Sequence, residues 1–306
     1  MNGERTVQKL LHIITTGTSI IRNTSNKCNE NTQLTLHCTK LKKWSTSPPE
    51  SQEDLEAGNN AHPGSPIFKA VLEAVAGDPK KISAELNALL TYAETRANEK
   101  TLEHKIILLS TDTGAGWFST KIIEEFLKNM DTIPEQYIAK GHHHIAGIEA
   151  ERIQLLGKDF AKGSINLLAK IKTAIAKHKQ WADEILLNLT GGFKPETGLL
   201  IMSAGLLGAN KAYYIHEYMS EIVEIPIIPI TLAEPVKTAL ENARKGLLDH
   251  TTLEILRRHG ILKPSEKEQA WLREIANILL KLKNPEKQKP SRKHQATQKL
   301  IFKIYM

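Results

Sequence analysis

The chain has 306 residues, a net charge of +7 and 41% hydrophobic side chains, which suits one substantial α/β core with a smaller appendage. No apolar run reaches the roughly 18 residues that a membrane span needs. Residues 1–9 (MNGERTVQK) lack the apolar centre of a secretory signal, and Cys28 and Cys38 alone are too few for a disulfide framework. Membrane-spanning and disulfide-scaffold classes are thereby excluded, a cytoplasmic protein without a lipid anchor is expected, and the positive excess favours an anionic partner.

The apolar run LLHIIT at 10–15 predicts a buried first strand feeding the small-residue turn TGTS. Residues 24–66 turn polar, with SPPES, GNN and HPGSP in succession, and predict a long loop or insertion, in part disordered. Helical spacing begins at Ile67, with Ile82, Leu86, Leu89 and Leu90 on one stripe, and Lys105 to Leu109 predicts a second buried strand with STDTGAGW as its exit loop. A helix at about 119–129, an irregular stretch from Met130 to Gly147 and a longer helix at about 160–178 follow; Ile165, Leu168, Ile171 and Ile175 keep helical spacing in the last.

Ile185 to Leu189 predicts a third buried strand, TGGFK its turn, and residues 195–208 a largely apolar helix; Lys211 to His216 and Ile222 to Ile230 predict further strands. This alternation argues for an α/β fold over 1–232: a Rossmann-like, doubly wound, mostly parallel sheet whose ligands bind beyond the carboxyl ends of its strands. Residues 233–306 predict a small helical domain, winged-helix-like or a simple helical cap. Its helices are expected at Glu234 to Leu248, Thr251 to Arg258 and Ser265 to Lys283, the last opened by the capping box Ser265-x-x-Glu268. From Lys281 to Lys303 eight Lys or Arg face the single acid Glu286, either a solvated tail or an arm for nucleic acid.

Three strand-end loops share one character: TTGTS at 15–19, with Gly17, Thr18 and Ser19; STDTG at 110–114, with Asp112, Thr113 and Gly114; and TGGFK at 190–194, with Thr190, Gly191, Gly192, Phe193 and Lys194. Glycine lets a ligand approach the backbone, N–H groups at a helix start favour an anion, and hydroxyls add donors. One such loop is an ordinary turn, but three on one sheet edge point to a shared anionic ligand. Lys194 precedes Pro195, a good first helical residue, so its ammonium can reach back over the positive helix terminus, an arrangement suited to phosphate. The chain lacks both G-x-x-x-x-G-K-[ST] and G-x-G-x-x-G, which argues against ATP and NAD, and no cofactor is expected.

TTGTSIIRN, DPKKISAEL at 78–86, LLSTDTGAG at 108–116, KGSINLL at 162–168 and above all LNLTGGFKPE at 187–196 resemble, in matching order, the CRISPR-associated Rossmann-fold family, CARF. The resemblance covers roughly residues 8–232. It implies a homodimer that binds cyclic oligoadenylate, the second messenger of type III CRISPR immunity, across its twofold axis. A short helical or winged-helix tail resembles stand-alone ring nucleases, in which the residues corresponding to Ser19 and Lys194 lie beside the scissile phosphate. The resemblance thus implies metal-independent cleavage by Ser19 and Lys194, with Gly17, Thr18, Asn23, Asp112, Thr113, Gly114, Thr190, Gly191, Gly192 and Phe193 contacting the ligand.

Two other roles stay open: a non-catalytic sensor that regulates transcription, and a ribonuclease effector using the R-x4-6-H spacing of Arg244 and His250. Asp112 orients a hydroxyl, contacts adenine or caps the next helix. Asn23 faces the pocket or closes a turn, and Trp117 stacks on adenine or belongs to the core. His259 and Gly260 read as a helix end. His142, His143 and His144, like Cys28, His37 and Cys38, lack metal-site spacing and read as loop residues. No strong general base is evident, so slow turnover is expected.

Overall fold

The computed structural model describes residues 7–29, 32–96, 101–130, 142–192, 194–215, 221–262 and 269–281. The chain divides into two units, residues 1–230 and 231–306. The first runs β1 (Val7–Thr16), α1 (Ser19–Lys27), α2 (Thr32–Thr35), α3 (Cys38–Thr46), α4 (Gln52–Asn59), α5 (Pro66–Gly77), α6 (Pro79–Ile82), α7 (Ala84–Thr95) and β2 (Thr101–Ser110). It continues through α8 (Gly114–Lys128), β3 (His142–Arg152), α9 (Phe160–His178), β4 (Glu184–Asn188), α10 (Lys194–Leu207), β5 (Lys211–Ile215) and β6 (Ile222–Pro226).

The six strands form one sheet in the order β3-β2-β1-β4-β5-β6. All neighbours are parallel except β5 and β6. This is the expected Rossmann-like α/β architecture. Side chains alternate across a strand, so Leu10, His12 and Ile14 share one face of β1 with Ile106 and Leu108 of β2. Ile14, Ile106 and Leu108 pack with α1, α5, α7 and α8 in one apolar cluster. Leu11, Ile13 and Leu187 on the opposite face are equally buried, which leaves that face to α9 and α10. Burial on both sides explains why these strands read as continuous apolar runs.

Several expectations need correction. The 24–66 stretch is folded rather than an open loop: Leu34, Leu41, Trp44, Ala57 and Ala61 are buried in the main core. Trp44 stands edge-on to Phe118 of α8, ring centroids 5.3 Å apart. Its Ser, Pro and Gly clusters mark helix ends, since Ser51 accepts the Asp54 N–H at 3.2 Å as the cap of α4 and Pro66 opens α5. Cys28 and Cys38 are joined by a disulfide.

Within the stretch expected to be irregular, 142–152 forms strand β3, so His142, His143 and His144 are strand residues rather than loop residues. As a half-buried edge strand it carries no apolar run. Residues 131–141 lie outside the described residues. Helix α8 starts at Gly114, earlier than expected, because Thr113 caps it by accepting the Gly116 N–H at 3.0 Å. β6 stops at Pro226, short of the expected Ile230; Pro226 and Pro229 have no N–H to donate to a sheet ladder.

The second unit comprises α11 (Glu234–Lys245), α12 (His250–Arg258) and α13 (Gln269–Lys281), packed around Val236, Leu240, Leu256, Leu272 and Ala276. Gly246, at φ 80°, ends α11 in the left-handed conformation that glycine adopts without strain. No strand occurs among the described residues of this unit. Ser265, Glu268 and the basic tail beyond Lys281 lie outside the described residues.

A row of buried polar side chains crosses the sheet beneath α7. Tyr213 Oη meets His12 Nδ1, His12 Nε2 meets His104 Nδ1, and His104 Nε2 meets His143 Nδ1, each at 3.0 Å. A neutral imidazole has one donor and one acceptor, so the row is satisfied only when all its N–H groups point the same way. Burial pushes the His12 pKa down to about 3. Burial first, then the neighbouring histidines, pushes His104 well below its ordinary value.

Below pH 6.5, the ordinary imidazole value, the unfolded chain binds protons that the folded chain refuses. Stability is therefore complete above pH 6.5 and is lost as pH falls toward 3, with a slope of up to about 1.4 kcal/mol per pH unit for each histidine. Chemical denaturation between pH 8 and 4.5 is expected to show the midpoint dropping below pH 6.5, and His104→Gln to flatten the drop. A wild-type midpoint independent of pH would contradict the neutral row.

Candidate functional site

The strand order places the site. The chain leaves β1 for α1 on one face and leaves β4 for α10 on the other, although β1 and β4 are neighbours. Crossovers that diverge in this way open a crevice beyond the carboxyl ends of the two strands. The TTGTS segment at 15–19 ends β1 and opens α1, and the TGGFK segment at 190–194 follows β4, so both border that crevice.

The two loops pack on each other around Glu85, from the first turn of α7. Its Oε1 accepts the Gly17 N–H at 2.8 Å, and its Oε2 accepts the Ser19 hydroxyl at 2.7 Å and the Ser83 hydroxyl at 3.0 Å. Ser19 Oγ in turn accepts the Ala84 N–H at 3.2 Å. Thr15 donates its hydroxyl to the Gly191 carbonyl at 2.9 Å, closing the loops together. A Cβ on Gly191 would collide with the Glu85 carboxylate and the Thr15 carbonyl, so this glycine is required by close approach within the protein. Gly192 is needed for a different reason: its φ is 98°.

Around this centre Asn23 donates to the Ile82 carbonyl at 3.0 Å, tying α1 to the end of α6. Asn188, buried at the end of β4, donates to the Glu85 carbonyl at 3.2 Å and accepts the Thr190 N–H at 3.1 Å. Thr190 Oγ1 accepts the Ile215 N–H at 3.3 Å. Thr18 and Gly192 are exposed, while Gly17 and Ser19 are half-buried. Lys194 is the first residue of α10, which puts a helix N-terminus, the positive end of its dipole, directly after the glycines. Phe193 lies outside the described residues.

The third loop is not drawn into this group. Asp54, buried in α4, inserts its carboxylate at the start of α8: Oδ1 accepts the Ala115 N–H at 2.9 Å and Oδ2 the Glu50 N–H at 3.1 Å. Gly114 has no room for a Cβ because the Asp54 carbonyl lies against it. The helix start that the sequence offers to an anionic ligand is thus served by the protein's own carboxylate. Asp112 turns toward the β3–α9 connection, pairing with Arg152 at 3.0 Å and Lys158 at 3.3 Å and accepting the Leu155 N–H at 3.1 Å. The Lys158 ammonium donates to Glu50 at 2.9 Å, and this hydrogen bond, then the one to Asp112, raises its pKa.

Trp117 is half-buried against the core, with the Lys121 ammonium 5.5 Å from its ring centroid. Among the described residues no group of three His, Cys, Asp or Glu is arranged to hold a metal ion. Arg244 sits in the last turn of α11 and His250 opens α12, both exposed and separated by the left-handed turn at Gly246. His259 caps the end of α12 and Gly260 follows with φ 66°.

Glu85 and Asp54 were missed by sequence reasoning. Glu85 carried one usable signal: it sits two residues after the capping serine in ISAEL, a motif distant in sequence from the loops it joins. Asp54 carried none, because its partner is 61 residues away.

Gly191→Ala is expected to push Glu85 out of its place and to cost about 1–3 kcal/mol, the usual range for overpacking. Thermal unfolding checks this; an unchanged midpoint would mean that the two loops do not close around the carboxylate.

Residues 80–228, just under half of the chain, match the model of a family described as CRISPR-associated protein (Cas_APE2256). The matched stretch contains Glu85, the STDTG loop and the TGGFK turn, and over it the chain is similar to a CRISPR-associated protein.

Proposed function

We propose that the protein is a ring nuclease that binds cyclic tetra-adenylate and linearises it, switching off type III CRISPR signalling. The observation that carries this reading is the crevice between β1 and β4, where the Ser19 hydroxyl, two glycine-bearing loops and the start of α10 at Lys194 come together. Such a crevice suits a compact polyanion, and the match to a CRISPR-associated family supports a nucleotide as that polyanion.

The ring carries its own nucleophile. A ribose 2′-hydroxyl held in line with its 3′-phosphate attacks phosphorus, giving a linear product ending in a 2′,3′-cyclic phosphate, and positioning alone supplies much of the acceleration. Lys194 neutralises the charge that develops on the phosphoryl oxygens, and Ser19 holds the reacting ribose. Two protomers related by a twofold axis present two sets of these groups to one ring. The protein works in the cytoplasm, where thiols are kept reduced, so the Cys28–Cys38 bond is expected to open there.

Purified protein with EDTA is expected to convert labelled cyclic tetra-adenylate to shorter adenylates bearing 2′,3′-cyclic phosphate, and to leave single-stranded RNA intact. Lys194→Ala is expected to lower the cleavage rate at least 100-fold, in line with loss of an oxyanion-stabilising group at about 10²–10³. Undiminished cleavage in that variant would remove Lys194 from the mechanism. Ring binding without cleavage by the wild type would favour the sensor role.

A further inference from the structure

We infer that Glu85 is the proton acceptor behind Ser19, a positioning residue through which the pocket draws the proton from the attacking ribose 2′-hydroxyl. The inference rests on the ring-nuclease reading and deepens it, because that reading lacked a base.

Glu85 is 1% exposed, and its carboxylate is held by the Gly17 N–H, the Ser19 hydroxyl and the Ser83 hydroxyl at 2.7–3.0 Å. It lies at the first turn of α7 and at the entry to α1, where α1, α7 and the loop after β1 meet. A purely structural staple accounts for the Gly17 and Ser83 contacts. The Ser19 contact has a further chemical consequence.

A serine hydroxyl has one proton and two lone pairs. At Ser19 the proton is committed to Glu85 Oε2 at 2.7 Å, and one lone pair accepts the Ala84 N–H at 3.2 Å. What the half-buried hydroxyl still has to offer is its second lone pair. Ser19 therefore meets a ligand as an acceptor, suited to a ribose hydroxyl and unsuited to a phosphate oxygen, with a carboxylate placed directly behind it.

The step balances as follows. The 2′-oxygen forms a bond to phosphorus and gives its proton to Ser19 Oγ, while the Ser19 hydroxyl proton passes to Glu85 Oε2. The P–O5′ bond breaks, and the 5′-oxygen leaves with the electron pair and takes a proton from water. The hydroxide so formed takes the proton from Glu85, restoring the carboxylate. No metal, oxidant or external nucleophile takes part, and water is recovered.

The test measures binding and single-turnover cleavage of cyclic tetra-adenylate separately, across pH, for the wild type, Glu85→Gln, Glu85→Asp and Ser19→Ala. Glu85→Gln is expected to bind the ring within about threefold of the wild type, to cut it 10²–10⁴-fold more slowly, the range for loss of a general base, and to lose the acid limb of the pH–rate profile. Glu85→Asp should restore part of the rate and the acid limb. Ser19→Ala leaves Glu85 its Gly17 and Ser83 partners and should lose the same limb, so the inference stays testable even where Glu85→Gln does not fold.

A Glu85→Gln rate close to the wild type, or an acid limb that survives in Ser19→Ala, would overturn the role given to Glu85 while leaving the ring-nuclease reading standing. Absence of ring cleavage by the wild type would overturn both.

Discussion

One buried carboxylate holds the crevice together. Glu85 accepts from the backbone of the first loop, from a serine in α1 and from its own helix cap, and its bulk dictates a glycine in the loop after β4. A buried charge is tolerated only when its acceptor capacity is filled, so this one cluster ties α1, α7 and the two strand ends into a fixed arrangement. The glycine at 191, which invites a reading as a ligand contact, is first of all an accommodation to that carboxylate. The loops leave the Ser19 hydroxyl half-buried and Gly192 exposed at the crevice.

The sheet beneath is organised by a second polar system. Three histidines on consecutive strands and one tyrosine form a directional row with no access to water. Tyr213 is the register partner of Asn188, whose side chain bonds both Glu85 and Thr190. The row thus ends beside the residue that positions the loop after β4. A half-satisfied network of this kind would cost more than an apolar core, which gives the sheet a strong preference for a single register.

The polar insertion illustrates how composition misleads. SPPES and HPGSP lower the mean hydropathy of 24–66 enough to imitate a loop, yet they are the punctuation between short helices whose apolar residues meet Trp44 and Phe118 in the core. Helices α2 and α4 are too short for a hydrophobic period to register. The same insertion delivers Asp54 to the start of α8, and so separates the STDTG loop from the other two in function although all three follow parallel strands.

The α/β class, the positions of most strands and helices, and the two loops that border the crevice were legible in the chain, because parallel strands buried on both faces leave unbroken apolar runs and the turns after them leave glycine. β3 was not legible: an edge strand half open to solvent, beginning with three histidines, has no such run. The Glu85 clamp, the Asp54 plug and the histidine row join residues between 39 and 201 positions apart. Local spacing carries no information on contacts of that kind. They exist because the crossovers on either side of β1 and β4 bring distant segments to one sheet end, where hydrogen-bond geometry selects which side chains meet.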